Sequence, residues 1–289
     1  MRRLPFRYLI PALLFAACNT DYLVDAEPLL VVEGWIDHGD FPVVMVSTTV
    51  PIREERTDLS ALKDYIARWA TVTISDGTRD VVLTGRVDRR YFPPYIYTTS
   101  EMRGEAGKAY RLTVDYRTYH AEAVTTIPSP PALDSVRVLP CEEDTLWQIN
   151  AWFHDTPTEH HYYKFFTRVG RDSRMWLSSY MQTLDAATFA LGESVCTPVY
   201  KGRLVTRRER YVPYFTARDT VLVKLARMDS TSFAFWNQME HNVTLGNSPL
   251  TASRRNPAFN MQGALGYWCG YGAVTWPITI ADSIVSGRE

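Results

Sequence analysis

What most limits the folds open to this chain is how its apolar residues are grouped: short runs rich in Val, Ile, Thr and aromatics, each stopped by Gly, Pro, Asn or Asp. Such runs read as strands joined by turns. LLVVEGWI, beginning at Leu29, and FPVVMVSTTV at 41–50 flank Asp37-His38-Gly39-Asp40, the pattern of a hairpin. In 109–116, Ala109, Arg111, Thr113 and Asp115 alternate with Tyr110, Leu112, Val114 and Tyr116, the period of a strand with one buried face. Further strands are expected near 94–99 and 118–126. Asp76-Gly77 predicts a turn from ATVTISDG into one return strand, VVLTGRV at 81–87. These elements suffice for an immunoglobulin-like β-sandwich over 29–128. With 46% hydrophobic residues in 289, the chain has apolar mass for one large or two ordinary cores, and its 17 Pro and 15 Gly argue against a helical bundle.

The segment TIPSPPALDS, 126–135, is the best boundary, since Pro128, Pro130 and Pro131 resist sheet pairing; it predicts a linker at 129–134 and a second β-rich domain over 135–289. There, 146–153 alternates as a strand, and others are expected at 161–169, 174–179, 198–207 and 220–227. A short helix is expected near 229–242, capped by Asp229 or Ser230, with Phe233, Trp236, Met239 and Glu240 at helical spacing. A weaker helical pattern, Leu59, Leu62, Ile66 and Trp69 behind Asp58, covers 58–69. Residues 245–270 read as a long ordered loop before a terminal GAVTWPITI strand.

Residues 1–17, MRRLPFRYLIPALLFAA, carry Arg2, Arg3 and Arg7 and then a short apolar stretch interrupted by Pro11, the grammar of a signal peptide. Leu14-Phe15-Ala16-Ala17-Cys18 resembles the bacterial lipoprotein signal, in which cleavage leaves a cysteine carrying diacylglyceryl and an N-acyl chain such as palmitate. Each buried methylene contributes ~0.8 kcal/mol, so several chains on Cys18 would make the attachment effectively permanent. The processed chain is then 272 residues with 28 basic and 32 acidic side chains, and 18–28 is a tether. That balance gives no support to a nucleic-acid groove.

Chemical motifs are sparse. With Cys18 committed to lipid, Cys141, Cys196 and Cys269 leave an odd number; a disulfide among them is allowed, Cys141–Cys196 being the least implausible pair, and spacing does not establish it. The stretch from His154 to His161 holds three histidines among acids, and Glu142-Glu143-Asp144 is an acidic run; both read as solvated turns, with no metal site and no cofactor expected. GxSxG, HExxH and GxxxxGK[ST] are absent, so no catalytic residue is assigned and the chain is not expected to be an enzyme. Lys201, Arg203, Arg207, Arg208 and Arg210 read as charge on an extended hairpin or as a contact for an anionic surface. Within Gly263–Gly272, Gly263 and Gly266 serve turning or close packing, while Tyr267, Trp268 and Tyr271 are either core or part of a binding face.

LVVEGWI at 30–36, ATVTISDG at 70–77, GEAGKAYRLTV at 104–114, YHAEAVTTIP at 119–128 and NPAFNMQGALGYWCGYG at 256–272, taken in order, resemble the DUF4249 family of Bacteroidetes surface lipoproteins. The last segment resembles the family's Asn-rich and Gly-rich loop, which adds Asn260 to the candidate binding or loop-positioning residues. The resemblance implies a lipid-anchored protein of the outer membrane, at the cell surface with the periplasmic face as the alternative. Implied partners are a TonB-dependent transporter and its substrate-capturing lipoprotein, with a peptide or glycan as ligand. The expected function is an accessory binding or assembly component in nutrient uptake; a hydrolase with a dispersed site and a structural adhesion module are the alternatives.

Overall fold

The computed structural model describes residues 27–49, 61–142, 145–155, 159–170, 175–189, 194–202, 211–245 and 258–281. The signal segment, Cys18, Asp58, Leu59, Glu143, Asp144, Arg203, Arg207, Arg208, Arg210 and much of the expected 245–270 loop lie outside the described residues.

The chain is mainly β. Strands β1 (Leu30–Asp37) and β2 (Val43–Thr48) form the expected antiparallel hairpin, with Leu30 opposite Thr48. β3 (Thr71–Ser75) follows the Asp76 turn into β4 (Asp80–Val82), but the expected single return strand is two. The ladder breaks at buried Leu83, and β5 (Thr84–Val87) pairs β6 (Tyr95–Thr98) in a different sheet. β7 (Ala109–Tyr116) and β8 (Tyr119–Thr126) form the next hairpin, and β7 buries Tyr110, Leu112 and Val114 on one face as its alternation requires. Of the helix expected over 58–69, the described part is a five-residue 3-10 helix, Ala61–Tyr65, after which Ile66 bridges to Ser47. Sheet pairing captures Ile66 and Ala67, and Trp69 is left 89% exposed.

The second half adds β9 (Leu133–Pro140), β10 (Leu146–His154), β11 (Tyr162–Val169), β12 (Leu177–Asp185), β13 (Ser194–Val199), β14 (Phe215–Thr216) and β15 (Thr220–Met228). Helix α1 (Ser230–Leu245) begins where expected, with the Asp229 carboxylate accepting from the Ser232 N–H at 2.7 Å. The final strand, β16 (Leu265–Thr279), is 15 residues long, so the glycine-aromatic stretch expected in a loop is strand from Leu265 onward.

β16 determines the architecture. It pairs parallel with β1, Val31 opposite Leu265, and antiparallel with β15, Arg227 opposite Gly272. The result is an eight-stranded sheet, β12-β11-β15-β16-β1-β2-β6-β5, built from chain on both sides of the Pro-rich 129–134 segment. One face is covered by two four-stranded sheets, β4-β3-β7-β8 over one half and β9, β10, β13 and β14 over the other. Period-two alternation then divides β16: Trp268, Val274, Trp276 and Ile278 point into these sheet-on-sheet cores, while Tyr267, Cys269, Tyr271 and Ala273 point to the opposite face, under α1.

Close packing sets the glycine positions. Gly266 has φ +115°, and a Cβ there would lie 1.8 Å from the Val32 carbonyl oxygen. Gly263, at φ +79°, would put one 2.1 Å from the His120 carbonyl oxygen. Both glycines let the chain cross other backbone as it enters the sheet.

Candidate functional site

The two faces of the large sheet are chemically unlike. Under the four-stranded sheets the core is mainly apolar: Val32, Ile36, Leu112, Val114 and Trp268 on one side, Phe153, Phe165, Val223 and Leu225 on the other, all fully buried, with a polar cluster of Tyr163, Asp155, His161 and Arg227 at one edge. Under α1, the same strands present Asp37 from β1, Lys224 from β15 and Lys164 from β11 among aromatic rings.

Lys224 is 2% exposed, and its Nζ lies 2.9 Å from Asp37 Oδ2. The same ammonium stands over Phe166, Trp176 and Tyr271, at 4.7, 4.9 and 5.1 Å from their ring centroids. A small pocket opens beside it, lined by Trp35, Phe166, Trp176, Lys224, Trp236, Tyr267 and Tyr271. Its free space, about 40 Å³, suits a few waters or one terminal group of a larger molecule. Asp37 Oδ1 is buried and has no hydrogen-bond partner among the described residues.

A second pair fastens the helix over this pocket. Lys164 is fully buried, and its Nζ meets Glu240 Oε1 of α1 at 2.5 Å and Thr183 Oγ1 at 2.9 Å. Glu240 also accepts from the backbone N–H groups of Gln182 and Thr183 in β12, at 3.1 and 3.3 Å. Burial pulls the Lys164 ammonium below its ordinary pKa, with the neighbouring Glu240 carboxylate opposing that shift. From the same helix, Trp236 Nε1 donates to the Tyr271 hydroxyl at 2.7 Å, and the Trp236 ring packs against Phe166 and Tyr267.

Burial also raises the phenols of Tyr267 and Tyr271 well above their usual value, pushes the Cys269 thiol up to about 12 and raises the Glu33 carboxyl. Tyr271 and Cys269 are thus held protonated near neutral pH. What the site offers is aromatic surface, hydrogen-bonding groups and one caged ammonium.

The sequence-predicted residues separate. Tyr267 and Tyr271 line the pocket, whereas Trp268 faces the other core and its indole Nε1 donates to the Tyr110 carbonyl at 2.9 Å. Asn260 is a positioning residue: its amide donates to the Trp268 carbonyl at 2.6 Å and accepts from the Trp268 N–H at 2.9 Å. It satisfies backbone groups of β16 at a point β15 does not reach. Gly263 and Gly266 serve close backbone crossing, and none of Cys141, Cys196 and Cys269 is in a disulfide, so the Cys141–Cys196 pairing that the sequence allowed is not formed. The Lys201 ammonium lies 3.4 Å from Asp219. His154, His160 and His161 each pair with an aspartate, Asp134, Asp185 and Asp155, and among the described residues no three His, Cys, Asp or Glu side chains converge as metal ligands.

The residues missed from sequence are Trp35, Asp37, Lys164, Trp176, Lys224 and Glu240. A signal was present: Lys164 in YYKFF and Lys224 in VLVKLA interrupt runs that are otherwise apolar or aromatic, which requires a buried partner for each ammonium.

No curated protein matches the chain. A family model described as "Domain of unknown function (DUF4249)" matches residues 19–275, nearly all of the β-rich body together with the segment before it, and the protein belongs to that family.

Proposed function

We propose that this protein is an outer-membrane lipoprotein, anchored through Cys18, that serves as an accessory binding or assembly component of a TonB-dependent nutrient-uptake system. The observation that carries the binding reading is the composition of the site under α1. Its lysines are paired with carboxylates, and its Tyr271 phenol and Cys269 thiol are held protonated, so it supplies contacts to a ligand rather than a group poised to exchange protons. Aromatic planes beside a caged ammonium, and an Asp37 Oδ1 with no hydrogen-bond partner among the described residues, suit an end group of a peptide or glycan bearing both apolar surface and a hydrogen-bond donor.

The anchor reading is supported by the Leu14–Cys18 signal and by the short chain between Cys18 and β1. A lipid at Cys18 would keep the body beside a membrane transporter and raise their encounter concentration. The test is affinity purification from native membranes with the lipid-retaining chain and identification of the proteins recovered. Reproducible recovery of a transporter is expected; reproducible recovery without one would overturn the partner assignment.

A further inference from the structure

Trp69 is 89% exposed, although Trp is among the side chains most strongly drawn to burial. Its exposure is built in, because the backbone on both sides is clamped. The Ala67 N–H donates to the Val46 carbonyl at 2.9 Å, the Tyr97 hydroxyl donates to the Ala67 carbonyl and accepts from the Ala70 N–H at 3.0 Å, and the Tyr95 hydroxyl donates to the Arg68 carbonyl at 2.9 Å. Two buried or half-buried tyrosines thus hold a short projection with Trp69 at its tip.

The projection stands at the end of the sandwich where the tether enters. Leu30 opens β1, and Leu29 just before it is 51% exposed. The Tyr119 hydroxyl, at the β7–β8 turn, donates to the Pro28 carbonyl and fixes where the tether meets the body. Asp115 of β7 lies opposite Thr71, two residues beyond Trp69, so the exposed Arg117 of that turn shares this end. Trp69, Leu29, Arg68, Arg117 and Tyr119 therefore share the end at which the tether enters. From Cys18 to Pro28 the chain reaches at most about 35 Å.

We infer that this end of the sandwich is a membrane seat: the exposed Trp69 and Leu29 enter the interfacial layer of a phospholipid surface while Arg68 and Arg117 meet phosphate groups. Trp is suited to that layer because its broad apolar ring carries a polar N–H, and arginine stems can lie along lipid while their guanidinium groups stay wet. The seat would fix how the body stands on the membrane, with the Asp76 turn directed away from it. This inference rests on the anchor at Cys18 for what brings the membrane to this end.

The experiment uses the membrane-extracted, lipid-retaining chain in phosphatidylcholine vesicles whose acyl chains carry bromine, a quencher of tryptophan. The emission of Trp69 is taken as the difference between the wild type and Trp69→Phe, and mass spectrometry reads the lipid on Cys18 in the same samples. A blue-shifted Trp69 emission, lost to quenching when the bromine lies near the interface, is the expected result. With Cys18 lipidated, an unshifted and unquenched Trp69 overturns the seat and leaves the anchor standing. With Cys18 unmodified, quenching of Trp69 upholds the seat while the anchor fails, and absence of quenching removes both. Shielding of Trp69 only when a co-purifying protein is present would also overturn the seat, in favour of a protein contact.

Discussion

The two faces of the eight-stranded sheet solve the same packing problem with different chemistry. Under the four-stranded sheets, β1 and β16 bury Val32, Ile36 and Trp268 against Val72, Ile74 and Leu112, and apolar burial is the main stabilising term. Under α1, the alternate residues of the same strands enclose Asp37, Lys224, Lys164 and Glu240. Buried ion pairs are poor sources of stability, since removing two charges from water offsets most of their attraction. The first face is mainly apolar, with its charged groups confined to the cluster of Asp155, His161 and Arg227 around Tyr163. The second retains charges that folding does not require, which is why the functional reading falls there.

The sharpest way to break this contrast is to damage each face once and then attempt a rescue. Trp268→Ala is expected to cost about 3–5 kcal/mol through a large cavity. Asp37→Ala is expected to cost about 3–5 kcal/mol, because it leaves the Lys224 ammonium buried and unpaired. The rescue separates them: Asp37→Leu combined with Lys224→Met should restore stability to within ~1 kcal/mol of the wild type or above it. Denaturant unfolding of the purified variants reads all of these, and a double variant as unstable as Asp37→Ala would show that the pair is needed for the fold.

A smaller effect is expected at the helix. Glu240→Gln weakens the bond to Lys164 and those to the Gln182 and Thr183 N–H groups, with an expected loss of about 1.5–3 kcal/mol. Hydrogen exchange should quicken in α1 and β12 while β7 and β8 keep their protection. Smaller still is Tyr271→Phe, which strands the Trp236 indole N–H at an expected cost of about 1–2 kcal/mol in the same unfolding measurement.

The smallest expected effect concerns an exposed pair, a useful counterweight to the buried ones. His120 lies 2.7 Å from Asp115, whose carboxylate raises the imidazole above its ordinary value of 6.5. A raised histidine stabilises the fold below pH 6.5, and that contribution disappears as pH rises through the folded value. NMR titration of His120 should show the upward shift, and Asp115→Asn should abolish it with little change in unfolding midpoint, as solvent screens such pairs.

Much of the fold was legible because it is local. The β1–β2 hairpin is announced by Asp37-His38-Gly39-Asp40, β7 by strict alternation, and α1 by Asp229 ahead of Phe233 and Trp236. The misreadings concern partners distant in sequence. The first part of β16, 265–270, falls in the loop expected over 245–270 because its glycines lack propensity; it is a strand because β1, more than 200 residues earlier, pairs with it and needs close approach at Gly266. The 81–87 run is apolar enough for one strand, yet β3 and β6 claim its two halves. Of the site, Tyr267 and Tyr271 were legible as aromatic candidates, but the lysines that give them chemical meaning were hidden inside strands, and their partners Asp37 and Glu240 come from the end of β1 and from a helix.

The most direct measurement combines the rescue with the membrane purification: the folded Asp37→Leu/Lys224→Met variant is recovered from native membranes beside the wild type, and the proteins that accompany each are compared. If the charged face serves binding or assembly, the wild type brings down its membrane partner and the equally stable variant loses it. Recovery of the same partner by both would contradict that role and return the paired charges to structure alone.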